Sequence, residues 1–343
     1  MITVKEIEEK SVWEDFNLNS SNPTFLQSWA WGEFQKSLGR VIHRLGIYKD
    51  AGLVGIALLI EERARLASFI YCPGGPVFRE WKKEYLNHWV TTVSETAKEK
   101  NFSFLRIDPR KLEKPKESLI KSSGFVSAPE YTQPRCTGII DLTKNENEIL
   151  SKTTPSTRNN IRASQRKGVV VREGKSEEIK TFLKLLTETS QRKRLILPRE
   201  HRYHQKQFEI LDNEGLMKLY IAESQGQGLS ASLVVFYAGT AYYLHAASSD
   251  QMAKLRASYP LVWHTVLEAK KRNLRRFDFW GVAENDSPRH PWAGVTSFKL
   301  SFGAERECYE PPFDLPYKAS YRLVRWLETY RRPLQKIFRF GRR

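Results

Sequence analysis

A few residues in this chain have types and spacings that could do chemistry. Asp108 closes the run FSFLRIDP, directly before Pro109. A carboxylate just past a strand end lies where α/β sheets often carry their sites. It could hold or deprotonate an amine; a strand-end Asp-Pro turn is the plain alternative. Phe298 and Lys299 stand side by side in SFKLSFGAE. A ring beside a cation suits a single-stranded nucleic-acid end, against an amphipathic element with one exposed lysine. Arg199 and Tyr203 are four apart, on one face if helical. Arginine suits bidentate phosphate contact; a solvated basic helix end is the alternative. His201 and His204 are three apart with no third ligand in view, so no metal site is expected.

The charge around these residues is one-sided. The 343 residues carry a formal net charge of +17. Charge of this size points to an anionic partner rather than to any fold. It gathers in three stretches. Lys152–Lys175 holds seven Lys/Arg against one Glu, Gln191–Lys206 six against one, and Tyr317–Arg343 nine against one. The last is interleaved with Tyr321, Trp326, Tyr330, Phe338 and Phe340, and reads as a basic aromatic helix interrupted by Pro333. Such a helix suits a tRNA backbone or a membrane surface. Solvated faces are the alternative for each stretch.

Cys72, Cys136 and Cys308 form no CxxC pairing. That fits a reducing compartment and argues against a disulfide scaffold. The first sixteen residues, MITVKEIEEKSVWEDF, lack the apolar core of a signal peptide. The longest apolar run, Leu53–Ile60, is far short of the ~20 residues that span a bilayer. The expectation is a cytoplasmic protein, at most peripheral at the inner face of the membrane.

The elements that must hold these residues occur twice. GIYKDAGLVGIALLIEE reads as two strands about a turn at Lys49–Gly52. A helix is predicted over roughly residues 80–100, with Trp81, Tyr85, Trp89 and Val93 at helical spacing. The strand ending at Asp108 follows. Later, LYIAESQGQGLSASLVVFY gives strand, Gly-rich hairpin turn and strand. TAYYLHAAS, a helix over about 259–272 and the strand RRFDFWG complete the set. Leu229 lies 176 residues after Leu53, and Asp278 lies 170 after Asp108. A repeat of this length means a duplicated domain. Each half is an α/β or α+β sandwich. The expected bounds are 1–150, 151–316 and a C-terminal helix at 317–343, joined near the polar stretch 144–154.

Six stretches, in order, resemble the Fem family of peptidoglycan bridge-forming transferases. They are TFLQSWAWGEFQKSLG, LRIDPR, STRNNIRASQRKGVVVREG, SQRKRLILPREHRYHQKQFEIL, FDFWGV and SFKLSFGAE. Together they cover about residues 24–310. No heptad run long enough for a coiled-coil arm is present, so the resemblance is to the smaller, armless members. It implies two acetyltransferase-like (GNAT-like) domains, in agreement with the repeat.

The resemblance also implies a reaction. An amine of a peptidoglycan stem peptide attacks the ester of an aminoacyl-tRNA, with lipid II or UDP-MurNAc-pentapeptide as acceptor. The ester is already activated, so no cofactor is implied beyond this co-substrate. The sequence shows no pyrophosphate-holding turn at a strand–helix junction to suggest coenzyme A. By resemblance Asp108 handles the amine, Lys299 stabilises charge at the tRNA end and Phe298 packs on the terminal adenosine. Arg199 and Tyr203 grip the acceptor, with Lys36 as a further candidate for its diphosphate. Gln35 is the alternative to Lys36 at that position. Tyr243 either contacts the acceptor or lies in the core. Arg158 and Arg162 are candidates for tRNA contact. Two other functions stay open: an acyltransferase of cell-envelope metabolism with another donor, and a basic RNA-binding protein.

Overall fold

The computed structural model describes residues 1–63, 67–110, 114–129, 131–192 and 201–340. It divides into two units, Met1–Arg135 with Tyr309–Arg343, and Cys136–Cys308. The strands of the first are β1 (Ile2–Glu6), β2 (Ile42–Lys49), β3 (Gly52–Arg63), β4 (Ser68–Gly74), β5 (Val77–Phe78), β6 (Phe104–Pro109) and β7 (Val126–Ser127). The second has β8 (Cys136–Asp141), β9 (Val170–Glu173), β10 (Met217–Ser224), β11 (Gln227–Tyr237), β12 (Thr240–Ser248), β13 (Arg276–Val282) and β14 (Glu305–Cys308). The chain then returns to the first unit as β15 (Phe313–Pro316). Helices α1 (Lys10–Leu18), α2 (Trp29–Ser37), α3 (Lys83–Glu99), α4 (Lys114–Ser122) and α11 (Tyr321–Phe340) belong to the first unit. The second holds α5 (Glu146–Lys152), α6 (Pro155–Arg166), α7 (Ile179–Arg192), α8 (His201–Asn213), α9 (Ser258–Lys271) and α10 (Ala293–Leu300).

Strand order makes the duplication explicit. The first sheet runs β1-β2-β3-β4-β6-β15-β7, with β5 paired to β3; the second runs β9-β10-β11-β12-β13-β8-β14. Along each path every neighbouring pair is antiparallel except the fourth. That pair, β4 with β6 and β12 with β13, is parallel. A parallel pair needs a crossover, and α3 and α9 provide it. Short turns join β2 to β3, β10 to β11 and β11 to β12. Gln225 and Gly226, between β10 and β11, both have left-handed φ, +51° and +74°. That is the signature of a two-residue hairpin turn, so QGQGLS is the turn its sequence suggests.

Each sheet has its own core. On α3, Tyr85, Leu86, Trp89, Val93 and Ala97 are buried and join Ile47, Leu59, Ile70, Leu105 and Ile107 of the strands. On α9, Leu261, Val262, Val266 and Ala269 join Tyr220, Val234, Phe277 and Phe279. Each large side chain buried this way is worth roughly 1.5–3 kcal/mol.

The unit bounds depart from the expected 150 and 316. The cause is an exchange between the units. β8 precedes the expected join yet pairs with β13, while β15 follows the second unit and pairs with β6. The polar stretch near 144–154 holds two helix starts. Asn145 and Glu148 form a capping box on α5, and Thr154 caps α6 with Pro155 in its first turn. The C-terminal helix continues through Pro333. The backbone carbonyl that loses its donor there belongs to exposed Thr329, where water can serve it.

Two of the three cysteines pair, against the expectation of a chain without a disulfide. Cys136 and Cys308 are disulfide-bonded. They are 172 residues apart in sequence but directly opposite on antiparallel β8 and β14. Spacing along the chain gives no sign of such a pair. Cys72 is buried and free.

Arg106 pins the returning segment to the first sheet. It is 3% exposed and pairs with Asp314 on β15, 0% exposed, through Nε–Oδ1 at 2.7 Å and Nη2–Oδ2 at 2.8 Å. Its Nη2 also reaches Glu328 on α11 at 2.8 Å. Burial works against its charge, but these two carboxylates hold the proton more tightly than usual. Breaking a buried pair strands the remaining charge. Arg106→Met is expected to cost about 3–5 kcal/mol, read as a lower urea midpoint.

Candidate functional site

In the first unit, Asp108 lies one residue before the end of β6, with Pro73 of parallel β4 as its register partner. Tyr71, two residues earlier on β4, faces the same side. Its hydroxyl donates to Asp108 Oδ2 at 3.0 Å, and Gln133 Nε2 donates to the Tyr71 oxygen at 3.3 Å. Burial raises the Asp108 pKa to about 6, against the pull of Arg110, the Tyr71 hydrogen bond and Arg106. Burial, then the Asp108 carboxylate, push the Tyr71 phenol well up, so it stays a donor. Arg110 stacks on Tyr309 at 3.8 Å, and its carbonyl accepts from Asn22 at 2.8 Å. A carboxylate that ionises near neutrality, next to a fixed donor, is suited to taking a proton.

Lys36 is on α2 and half exposed, paired with Glu33 at 3.1 Å. Gln35 is buried and bound to Arg40. Of the two alternatives at that position, Lys36 is the one that reaches solvent.

In the second unit, parallel pairing of β12 and β13 ends at Tyr242 and Asp278. Beyond that point β12 continues with β11, while β13 turns to β8 through an irregularity between Asp278 and Gly281. The carboxyl ends of two parallel strands therefore part here, the kind of place where open sheets bind ligands. Asp278 holds the irregularity. Its Oδ1 accepts from Trp280 N at 2.6 Å and from the Thr137 hydroxyl. Trp280 adopts φ +59°, an outlier for a bulky residue that costs on the order of 1–3 kcal/mol.

Lys299, near the end of α10, donates to the Gly281 carbonyl at 2.8 Å. Its ammonium is therefore held on the strand segment past the parting of β12 and β13. Phe298 packs at the edge of the core, edge-on to Tyr259 at 5.2 Å and to Phe302 at 5.3 Å. Both residues are partly exposed. The duplicated aspartates have thus diverged. Asp278 serves its own backbone, whereas Asp108 faces a tyrosine hydroxyl and neighbouring guanidinium groups.

Other expected residues fall elsewhere. Tyr243 is a core residue, 4% exposed and packed on Phe277 and Phe279. Of the two readings open for it, the core one describes its surroundings. Tyr203 on α8 is buried too, with its ring edge-on to His204 at 5.3 Å. His201 bonds Thr187 at 2.8 Å, while His204 turns inward onto His245. Arg158 donates to the carbonyls of Leu150, Ser151 and Thr153. It closes the C-terminal end of α5, whereas Arg162 is exposed. Arg199 lies outside the described residues.

The pattern of this chain matches the FemAB family over residues 8–124, 120–225 and 216–329. The chain belongs to the FemAB family. A lipid II:glycine glycyltransferase of Staphylococcus aureus (strain MRSA252) is 21% identical over 366 residues, covering 84% of this chain and 87% of that protein. Among solved structures, FemX superposes with a TM-score of 0.83 at 20% identity, over 95% of this chain and all of that one. A tandem GNAT protein from the clavulanic acid biosynthesis pathway gives 0.57 at 12% identity, over 92% and 98%. The fold is therefore mixed α/β, with two GNAT-like units in tandem. In this FemAB protein the sequence motifs pointed to Asp108, Phe298 and Lys299, but missed Tyr71, Gln133, Thr137 and Trp280. A two-residue step along β4 was the available signal for Tyr71. Nothing local in the sequence marks the other three.

Proposed function

We propose that this chain is an aminoacyltransferase that moves an amino acid from an aminoacyl-tRNA to the stem peptide of a lipid-linked peptidoglycan precursor. The observation that carries this is the family match across nearly the whole chain, together with relatives named for glycine transfer to lipid II. The donor assignment draws on the +17 charge and on the resemblance of the motif that holds Phe298 and Lys299. No coenzyme takes part, because the donor ester is already activated.

The stem-peptide amine attacks the ester carbonyl carbon and a C–N bond forms. Asp108 accepts the proton that the nitrogen loses. Negative charge gathers on the carbonyl oxygen and has to be stabilised as it forms. The C–O bond to the ribose then breaks, and the leaving oxygen takes up a proton. Positioning two large anionic substrates supplies much of the remaining acceleration.

The test is transfer of label. Single labelled amino acids, each esterified to tRNA, are incubated with the enzyme and the lipid-linked precursor. Label is expected to appear in the precursor with at least one amino acid, and ribonuclease treatment of the donor is expected to abolish it. Transfer only to the UDP-linked precursor would change the acceptor. Label transfer that survives ribonuclease would remove tRNA as donor.

A further inference from the structure

The helix α11 is mounted with its apolar face outward. Tyr321, Arg325 and Glu328 share one side at 0, +4 and +7. Tyr321 donates to Asp314 Oδ2 at 2.9 Å, Arg325 to the Ser127 carbonyl at 2.7 Å, and Glu328 accepts from Arg106 at 2.8 Å. Polar contacts therefore fasten the helix to the first sheet. The opposite side carries Leu323, Trp326 and Tyr330, which are 60%, 56% and 55% exposed. Trp326 and Tyr330 lie against each other, with ring centroids 5.7 Å apart. In sequence the same period continues to Leu334 and Ile337. A helix that only needed to pack on its own domain would be turned the other way.

Charge says what covers this face. Residues 317–343 hold nine Lys/Arg and a single acidic residue, Glu328, and that carboxylate is turned inward onto Arg106. An apolar stripe with Trp and Tyr, set among basic residues, fits the boundary between headgroups and acyl chains of an anionic bilayer. A tRNA backbone would need the cations, not the apolar side chains, in front. We propose that α11 lies in the surface of an anionic membrane through Leu323, Trp326 and Tyr330. This deepens the proposed function, on which it rests for its purpose: it brings the enzyme to a lipid-linked acceptor. The binding itself is measurable without any acceptor.

The full chain is sedimented with vesicles of phosphatidylcholine alone and with vesicles containing phosphatidylglycerol. Binding to the anionic vesicles is expected, with at least tenfold weaker binding to the neutral ones. The double variant Leu323→Glu/Trp326→Glu is expected to lose at least tenfold on anionic vesicles. Both side chains are exposed, so its thermal midpoint should match the parent. Leu323→Ser/Trp326→Ser is the milder control if it does not. Transfer to a soluble stem-peptide acceptor should stay within about twofold, while transfer to acceptor in vesicles falls. No binding to anionic vesicles, or equal binding by both double variants and the parent, overturns the proposal. So does self-association that these variants abolish without vesicle binding by the parent, since the face would then belong to a second copy. Vesicle binding without transfer to any acceptor would leave the membrane face standing and remove the proposed function.

Discussion

Lys299→Met should lower turnover by on the order of 100-fold or more while leaving the acceptor's KM within a few-fold. Lys299 donates to the Gly281 carbonyl at 2.8 Å, on the strand segment beyond the last parallel pair, Tyr242 with Asp278. A charge fixed in this way stabilises an oxyanion with little reorganisation, and the benefit appears only as negative charge develops. Removing it should therefore act on kcat rather than on binding. If Lys299 merely ties α10 to β13, the variant would lose thermal stability and keep near-normal turnover. That outcome would take it out of the chemistry.

Asp108→Asn should lose activity and gain stability. As a general base its removal should cost roughly 10²–10⁴-fold in rate. Stability moves the other way because burial raises the carboxyl pKa from an ordinary 3.8 to about 6. For a group whose folded pKa is raised, the sign is fixed. The protonated form suits the fold, its contribution is complete below about pH 4, and it is lost as pH rises through about 6. A shift of about two units corresponds to about 3 kcal/mol. Asparagine carries no charge and can still accept from Tyr71. The variant should therefore be more stable than the parent by about 2–3 kcal/mol at pH 7 and about equal at pH 4. The parent's rate should rise through about pH 6 as the carboxylate ionises. Urea unfolding at the two pH values, with steady-state rates, gives both readings. Full activity in Asp108→Asn would make Asp108 a structural acid.

The sequence carried the fold further than the site. Hairpins, crossover helices and the 170-residue offset between Asp108 and Asp278 are all local or periodic signals, and they survive in the strand order. The exchange of β8 and β15 between units is non-local, so the unit bounds moved. The same is true of Cys136 and Cys308, which meet only because β8 pairs with β14. At the site, Asp108 was legible because a strand end followed by proline is written in the chain. Its raised pKa was not, since that comes from burial in the folded chain, which outweighs the opposing hydrogen bond from Tyr71, 37 positions away. Tyr243 could not be assigned from the run AYYLHAAS, because neighbouring tyrosines on a strand point to opposite faces. Arg158 looked like one more cation in a basic stretch, yet short-range carbonyls claim it. The basic aromatic C-terminal segment fits tRNA or membrane in sequence alone, because the side of the helix that is anchored depends on Arg106, Asp314 and Ser127 far from it in the chain.

The most direct test of direct ester aminolysis follows three quantities in one reaction: ester remaining on tRNA, mass of the precursor, and intact mass of the protein. The expected result is that each ester lost appears as one amino acid gained by the precursor, with the protein's mass unchanged throughout. Ester loss that proceeds without acceptor and leaves an aminoacyl adduct on the protein would contradict the mechanism. A precursor that gains no mass with any charged tRNA would contradict the assignment itself.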